Sequence, residues 1–335
     1  MTPCLIDPVG HVGEPTTLFL VKVVALAGGI GAGKFLRGMA RLVPGSDLTV
    51  ILNIADDVVV HGLHVSPDPD SVTYWLGDAF DRERGWGRRG ESFRAAEELR
   101  AFGAADAWFN LGDLDLATHV MRTSMLRRGA SMSEVVLRIA GRFGVTARLL
   151  PVSDDRVETR IDAVDAETGE RLDLHFQEYW VKRRAADHVK GVWFDGVDAS
   201  RPAPGVLDSI ANADIVVLPP SNPVVSLGPI LATPGLRAAV ESRRPAVVGV
   251  SGIIGGAPLA GMADRLMPAV GLEVTAAGAA AAYEGLLGAW VIDERDRELA
   301  ARIEATGVRV IVTDSVIRDD EAAERLAAVT LGALQ

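Results

Sequence analysis

The chain has 335 residues, 48% of them apolar, a formal net charge of -11 and a single cysteine, Cys4. That length and apolar content suit one large α/β domain or two smaller ones with a substantial core. The acidic balance argues against a nucleic-acid partner, and one cysteine excludes an internal disulfide framework or a cysteine metal cluster. No apolar run reaches the roughly 18 residues that span a bilayer, and the N-terminus lacks the basic start and small-residue cleavage site of a secretion signal. The sequence therefore predicts a cytoplasmic protein with no membrane partner, in which residues 1–20 are a flexible extension.

Val21–Ala27 is an apolar, β-branched run that breaks into Gly28-Gly29-Ile30-Gly31-Ala32-Gly33 and restarts as a helix-like segment at Lys34. Strand, glycine turn and helix in that order make a corner in which backbone amides and the helix dipole attract an anion. The turn nearly matches a Walker A loop, but Phe35 stands where that loop needs a hydroxyl for magnesium. It also misses the dinucleotide pattern, because Lys34 replaces the third glycine. A tight turn without a ligand remains the plain alternative. Leu48–Asn53 reads as a second buried strand, so two βα steps point to a parallel, doubly wound sheet.

The next stretch, Asn53–Ser71, is expected to be a loop leaving the carboxyl end of that strand, with a helix at Val72–Leu76. It places four carboxylates, Asp56, Asp57, Asp68 and Asp70, within fifteen residues. Some of them can serve as caps or turn closers, and some can hold magnesium, which prefers one or two carboxylates plus substrate phosphate. Glu91–Phe102 is an amphipathic helix. Trp108–Asp115 opens another, on which His119 and Arg122 share a face. Ser131 and Glu134 form a capping box for Met132–Phe143. From Arg148 the pattern changes: Val157–Ala163 and Arg171–Gln177 alternate like antiparallel strands. We read this as an α+β subdomain inserted at about 130–205 into one domain, 21–335. Parallel strands resume at Ile215–Leu218, followed by Pro220-Ser221-Asn222-Pro223 and Ser226, then at Ala246–Val250, Ala289–Ile292 and Arg309–Val312.

The fold class read from these elements is α/β, a Rossmann-like, mostly parallel sheet whose polar loops converge on one rim. With no Cys–His pair, HExxH or GxSxG element, acyl chemistry is a poor fit, and magnesium-assisted transfer or cleavage involving a nucleotide diphosphate is a better one.

Taken together and in order, Gly28–Lys34, Asn53–Asp57, Ser66–Ser71 (SPDPDS), Leu111–His119 (LGDLDLATH), Pro151–Asp155 (PVSDD), His175–Glu178 (HFQE), Pro220–Ile230 (PSNPVVSLGPI) and Ile253–Asp264 resemble the CofD/FbiA family. Its members are the 2-phospho-L-lactate or phosphoenolpyruvate transferases of coenzyme F-420 biosynthesis. The resemblance implies that the terminal ribityl hydroxyl of the deazaflavin Fo attacks the phosphorus next to the three-carbon acid of a guanosine diphosphate ester. GMP leaves, magnesium is required, and the enzyme is a homodimer. It places Asp70, Asn110, Asp113 and His119 at Fo, and Gly28, Gly29, Gly31, Gly33, Lys34, Ser221, Asn222 and Ser226 at the donor nucleotide. Asp57 and Asp68 are placed at the metal, with Asp70 and Asp57 as catalytic groups. Departures at Ala32, Pro69, Asn110 and Ser251-Gly252-Ile253 bear on contact details. A P-loop-like kinase or NTPase, a non-catalytic nucleotide- or deazaflavin-binding protein and an NAD-dependent dehydrogenase are the alternatives. The sequence does not choose among lactyl, enolpyruvyl and glyceryl donors.

Overall fold

The computed structural model describes residues 21–334, so Cys4 and the expected extension over 1–20 lie outside the described residues. In chain order, β1 (Val23–Ala27) and β2 (Leu48–Leu52) are followed by a short hairpin of β3 (Val58–Val60) and β4 (Leu63–Val65). β5 (Arg148–Pro151) precedes β6 (Glu158–Val164), β7 (Arg171–His175) and β8 (His188–Asp195). Then come β9 (Ile215–Leu218), β10 (Val247–Val250), the short pair β11 (Ile253–Ile254) and β12 (Ala257–Pro258), β13 (Ala289–Asp293) and β14 (Arg309–Thr313).

Seven of these strands form the central sheet, in the order β14-β13-β10-β9-β1-β2-β5, and every pairing in it is parallel. This is the α/β class expected. Parallel sheets are covered on both faces, so their strands read as unbroken apolar runs; all residues of β1 (VVALA) and of β10 (VVGV) are buried. The chain runs outward from β1 through β2 to β5, then returns to β9 on the other side of β1 and runs outward again. β1 and β9 therefore flank the point where the winding reverses, and crevices form at the carboxyl ends of strands there. The registers Ala27 with Leu52, Ala25 with Val217 and Gly249 with Leu218 bring the loops after β1, β2, β9 and β10 to one rim.

The first five longer helices are α1 (Gly29–Leu42), α2 (Pro67–Leu76), α3 (Arg94–Ala101), α4 (Asp113–Arg127) and α5 (Met132–Arg142). In α1, Phe35, Leu36, Met39 and Leu42 recur at helical spacing and are buried. Ser131 and Glu134 make the expected capping box of α5, with both reciprocal bonds present. β6, β7 and β8 form a separate antiparallel sheet in the order β7-β6-β8. Its central strand buries every second residue, Thr159, Ile161 and Ala163.

Four local expectations are corrected. α1 begins at Gly29, so the glycine turn is itself the first turn of the helix rather than a loop before Lys34. α2 begins at Pro67, not Val72: Ser66 is its N-cap, the proline takes the first position, and Asp68 and Asp70 lie in the first turn. The stretch read as loop contains the β3–β4 hairpin, whose two turn residues, His61 and Gly62, have φ of 51° and 73°. A two-residue turn with both φ values positive matches the twist of a hairpin. Finally, Arg148–Pro151 is the edge strand of the central sheet, and the antiparallel strands start at Glu158.

Candidate active site

The glycine turn already faces a carboxyl, and the carboxyl belongs to the protein. Asp68, arriving on α2, sets Oδ2 against Gly28 and Oδ1 against Gly29, whose amide works against the rise in its pKa. A Cβ at Gly28 would lie 2.5 Å from Asp68 Oδ2 and 2.8 Å from Ser226 Cβ, and Gly29 has a φ of 76° that other residues rarely adopt. Gly28 and Gly29 thus face the carboxylate and the Ser226 loop. The other two glycines serve close packing. A Cβ at Gly31 would meet the Pro220 carbonyl oxygen at 2.4 Å, and one at Gly33 would meet Trp75 Cδ1 at 2.6 Å. Lys34 is half-buried, and its pKa is lowered by burial and then by Arg82, with Asp319 opposing.

Asn53 ties the rim together, and sequence reasoning passed it over. It follows β2, and its backbone N–H bonds to the Ala27 carbonyl across to β1. Its side-chain NH₂ donates to Asp68 Oδ2 at 2.9 Å and to the Val225 carbonyl at 3.2 Å, while its Oδ1 accepts from the Ala55 N–H. One amide thereby joins β2, α2 and the loop after β9. That loop is also held by Ser221 Oγ, which donates to the Gly28 carbonyl at 3.0 Å, and by Asn222 Oδ1, which accepts from the Val224 and Val225 N–H groups.

Three carboxylates crowd this rim. Asp56 is buried, with Oδ1 unpartnered; burial and then the neighbouring Asp68 push its pKa well above the ordinary carboxylate range. Asp57 accepts from His64 Nε2 and Ser66 Oγ, both at 2.7 Å and both on Oδ2, which leaves Oδ1 buried and unpartnered. Burial raises Asp68 to about 7, with Asp57 adding to the effect against the Asn53 bond and the Gly29 amide. Buried acceptors without donors cost free energy unless something fills them. Asp56 is one of the four carboxylates read from the sequence, where only Asp57 and Asp68 carry a metal role; its signal is the adjacent pair Asp56-Asp57 after a parallel strand.

Asp70 points the other way, because residues two apart in a helix do not share a face. Its Oδ1 pairs with Arg122 of α4, a guanidinium only 1% exposed. Burial raises the Asp70 pKa, and Arg122 opposes the rise. Arg122 Nη1 also donates to His119 Nδ1 at 3.0 Å, so the expected His/Arg face exists and is turned inward. Asp70, Asp115 and His119 place ligand atoms within 4.8 Å of one another and could hold a metal ion. However, His119 Nδ1 is already an acceptor for Arg122, so neutral His119 carries its proton on Nε2, facing Asp115. That ring has no lone pair free for a metal.

The remaining expected residues lie elsewhere. Asn110 accepts from Arg100, and Asp113 caps α3 by accepting from Ser92 Oγ and the Arg94 and Ala95 N–H groups. Asp113 also borders an open groove of ≈ 430 Å³ along the outer side of α4, beside Ala117, Val120 and Met121 and away from the inward-facing His119 and Arg122. His175, at the end of β7, connects the antiparallel sheet to the acidic rim. Its Nδ1 accepts from the Gln177 N–H, and Nε2 bonds the Asp57 carbonyl at 3.1 Å. Burial lowers its pKa, and the two bonds together fit a neutral ring protonated on Nε2.

A glycine helix N-terminus and a carboxylate cluster at the reversal point of a parallel sheet define an α/β protein that handles an anionic small molecule. The comparisons with known proteins narrow the class. The family model described as 2-phospho-L-lactate transferase CofD matches residues 23–330. A phosphoenolpyruvate transferase of Streptomyces griseus is 47% identical over 92% of this chain and 96% of its own. One of a Mycobacterium species (strain KMS) is 41% identical over 93% of this chain and 100% of its own. A crystal structure of a UPF0052 family member from Bacillus halodurans superposes with a TM-score of 0.59 at 17% identity, over 95% of this chain and 100% of that one, which establishes shared fold. The chain belongs to the CofD family.

Proposed function

We propose that this CofD-family transferase moves a phosphoenolpyruvyl group from its guanosine diphosphate ester to Fo, giving dehydro-F-420-0 and GMP. The family match over residues 23–330 carries the reaction, and the relatives named phosphoenolpyruvate transferases favour the enolpyruvyl donor over the lactyl one. The terminal ribityl hydroxyl attacks the phosphorus adjoining the three-carbon acid. The new O–P bond forms as the bond to GMP breaks, and the hydroxyl proton passes to Asp70, whose Oδ2 is buried and has no partner.

We assign magnesium to Asp57 and Asp68, with Asp56 beside them. The orphaned Oδ1 atoms of Asp56 and Asp57 support this assignment. So does charge: burial and neighbouring carboxylates raise Asp56 and Asp68, while Asp70 is paired directly with Arg122. When bound, the cation would neutralise phosphate charge. Gly28, Gly29 and Ser226 border the place where a donor phosphate would replace the Asp68 carboxylate at the α1 N-terminus. Magnesium dependence, a homodimeric state and a cytoplasmic location belong to the same reading. Among the described residues, no helix is long and apolar enough to cross a membrane.

The test incubates the protein with Fo, magnesium and the guanylylated enolpyruvate, lactate or glycerate, following product mass and GMP. The enolpyruvyl product should dominate and should vanish with chelator; no product from any donor overturns the reading.

A further inference from the structure

We propose that Tyr74, Asp115, His119 and Arg122 form a buried positioning chain for Asp70, one that sets the rate of the chemical step rather than the hold on the donor. The inference rests on Asp70 being the group that meets the acceptor hydroxyl, as read above. Two helices supply every member. Asp70 and Tyr74 are four apart on α2, and Asp115, His119 and Arg122 follow at steps of four and three on α4, so each set shares a face. Tyr74, His119 and Arg122 are each 1% exposed, and the Asp115 side chain is 13% exposed.

The direction of each link follows from what the groups can donate. The Tyr74 hydroxyl donates to Asp115 Oδ1 at 2.5 Å. Asp115 Oδ2 faces His119 Nε2 at 3.6 Å, beyond hydrogen-bond reach, so Nε2 has no hydrogen-bond partner and this link is electrostatic. A guanidinium only donates, so the 3.0 Å contact of Arg122 with His119 Nδ1 fixes the tautomer whose Nε2–H faces Asp115. Against its burial, the neighbouring His119 and the Tyr74 bond hold Asp115 below the ordinary carboxylate range, and a carboxylate facing Nε2 suits the tautomer that Arg122 selects. Arg122 then donates to Asp70 Oδ1. Asp70 Oδ2 is left as the buried acceptor with no partner. The chain ends, in other words, on the one oxygen the reaction needs. Buried polar networks are costly unless satisfied, and they fix geometry when they are. A displacement of about 1 Å at a reacting group costs about 100-fold in rate.

Steady-state kinetics with Fo and the donor, and thermal midpoints, test this on His119→Phe, His119→Gln and Tyr74→Phe. Glutamine can still accept from Arg122 and donate to Asp115; phenylalanine can do neither. His119→Phe should lower kcat about 30-fold or more with the donor KM within about twofold, the signature of an interaction used only in the transition state. His119→Gln should recover to within about fivefold of the unaltered protein, and Tyr74→Phe, which removes a single hydroxyl, should lower kcat about 3- to 10-fold. Equal kcat for the Gln and Phe variants, a donor KM rising in step, or an unchanged kcat in Tyr74→Phe overturns the proposal. Tyr74→Phe decides the matter if His119→Phe does not fold. Absence of product from the unaltered protein would overturn the reaction reading and this inference with it. Product from the unaltered protein with no such pattern overturns this inference alone.

Discussion

Removing the charge of Asp68 should stabilise the cation-free protein, and only above acidic pH. The Asp68 carboxyl is 7% exposed, with its pKa raised from 3.8 to about 7 by burial. Between those values the folded chain holds a proton that the unfolded chain has lost, so stability falls as pH rises, and the loss is complete above about pH 8. At about 1.4 kcal/mol per pH unit the interval amounts to about 4 kcal/mol. In Asp68→Asn an NH₂ replaces one carboxyl oxygen beside Gly28 and Gly29 while the other keeps the Asn53 bond, which costs about 1 kcal/mol. The variant should therefore be about 3 kcal/mol more stable than the unaltered protein at pH 8 in chelator, about 4 °C in midpoint for a chain of this size. Below pH 4 it should be slightly less stable. Magnesium should reverse the order at pH 8, since it stabilises whatever binds it in the folded state and the variant has lost a ligand. Thermal unfolding followed by circular dichroism from pH 4 to 8.5, with chelator or millimolar magnesium, checks both parts. A difference between the two proteins that does not change with pH, or a magnesium shift equal in both, refutes the reasoning.

Three further outcomes follow from the contacts. His175 titrates below its ordinary 6.5, so the unfolded chain takes the proton first and stability should fall as pH drops below about 6.5; His175→Asn should flatten that limb of the stability–pH curve. Arg122→Met strands Asp70 and should cost about 3–5 kcal/mol in urea unfolding. The double variant with Asp70→Leu should recover much of that loss, and no recovery would show that the pair is not the origin. Gly33→Ala drives a methyl into Trp75 and should cost about 1–3 kcal/mol with the donor KM unchanged. A raised KM with unchanged stability would instead put Gly33 against the donor.

The parallel sheet was legible because its strands are buried on both faces: VVALA, LTVIL, IVVL and VVGV carry no charge and need no partner to be recognised. The helix starts were harder. Gly29–Gly33 has low helix propensity, and its first turn lies against Asp68, a residue some forty positions away that no local rule could supply. At α2 the local signal was complete: Ser66, then Pro67, then acids in the first turn. The same acids also suit ligands on a loop, and that competing signal masks the helix start. His61-Gly62 likewise marks a hairpin turn between Val58–Val60 and Leu63–Val65. Asp115 stood within a recognised motif, but its partner Tyr74 comes from another helix, and only the tertiary crossing reveals it.

Once α2 is known to start at Pro67, the spacing of SPDPDS acquires a mechanical meaning. Carboxylates two apart on a helix diverge by about half a turn, so a single first turn serves two sides of the site. Asp68 reaches the glycine turn and Asn53, on the side proposed for cation and donor phosphate, while Asp70 reaches Arg122, on the side proposed for the acceptor. The sides are not independent. Arg122 Nη1 also approaches the His64 carbonyl at 3.4 Å, and His64 holds Asp57 Oδ2. One guanidinium thus touches both the acceptor carboxylate and the strand that carries a cation carboxylate's partner. Displacing Arg122 would therefore disturb Asp70 and the strand behind Asp57 at once, which couples the side proposed for the acceptor to the side proposed for the cation.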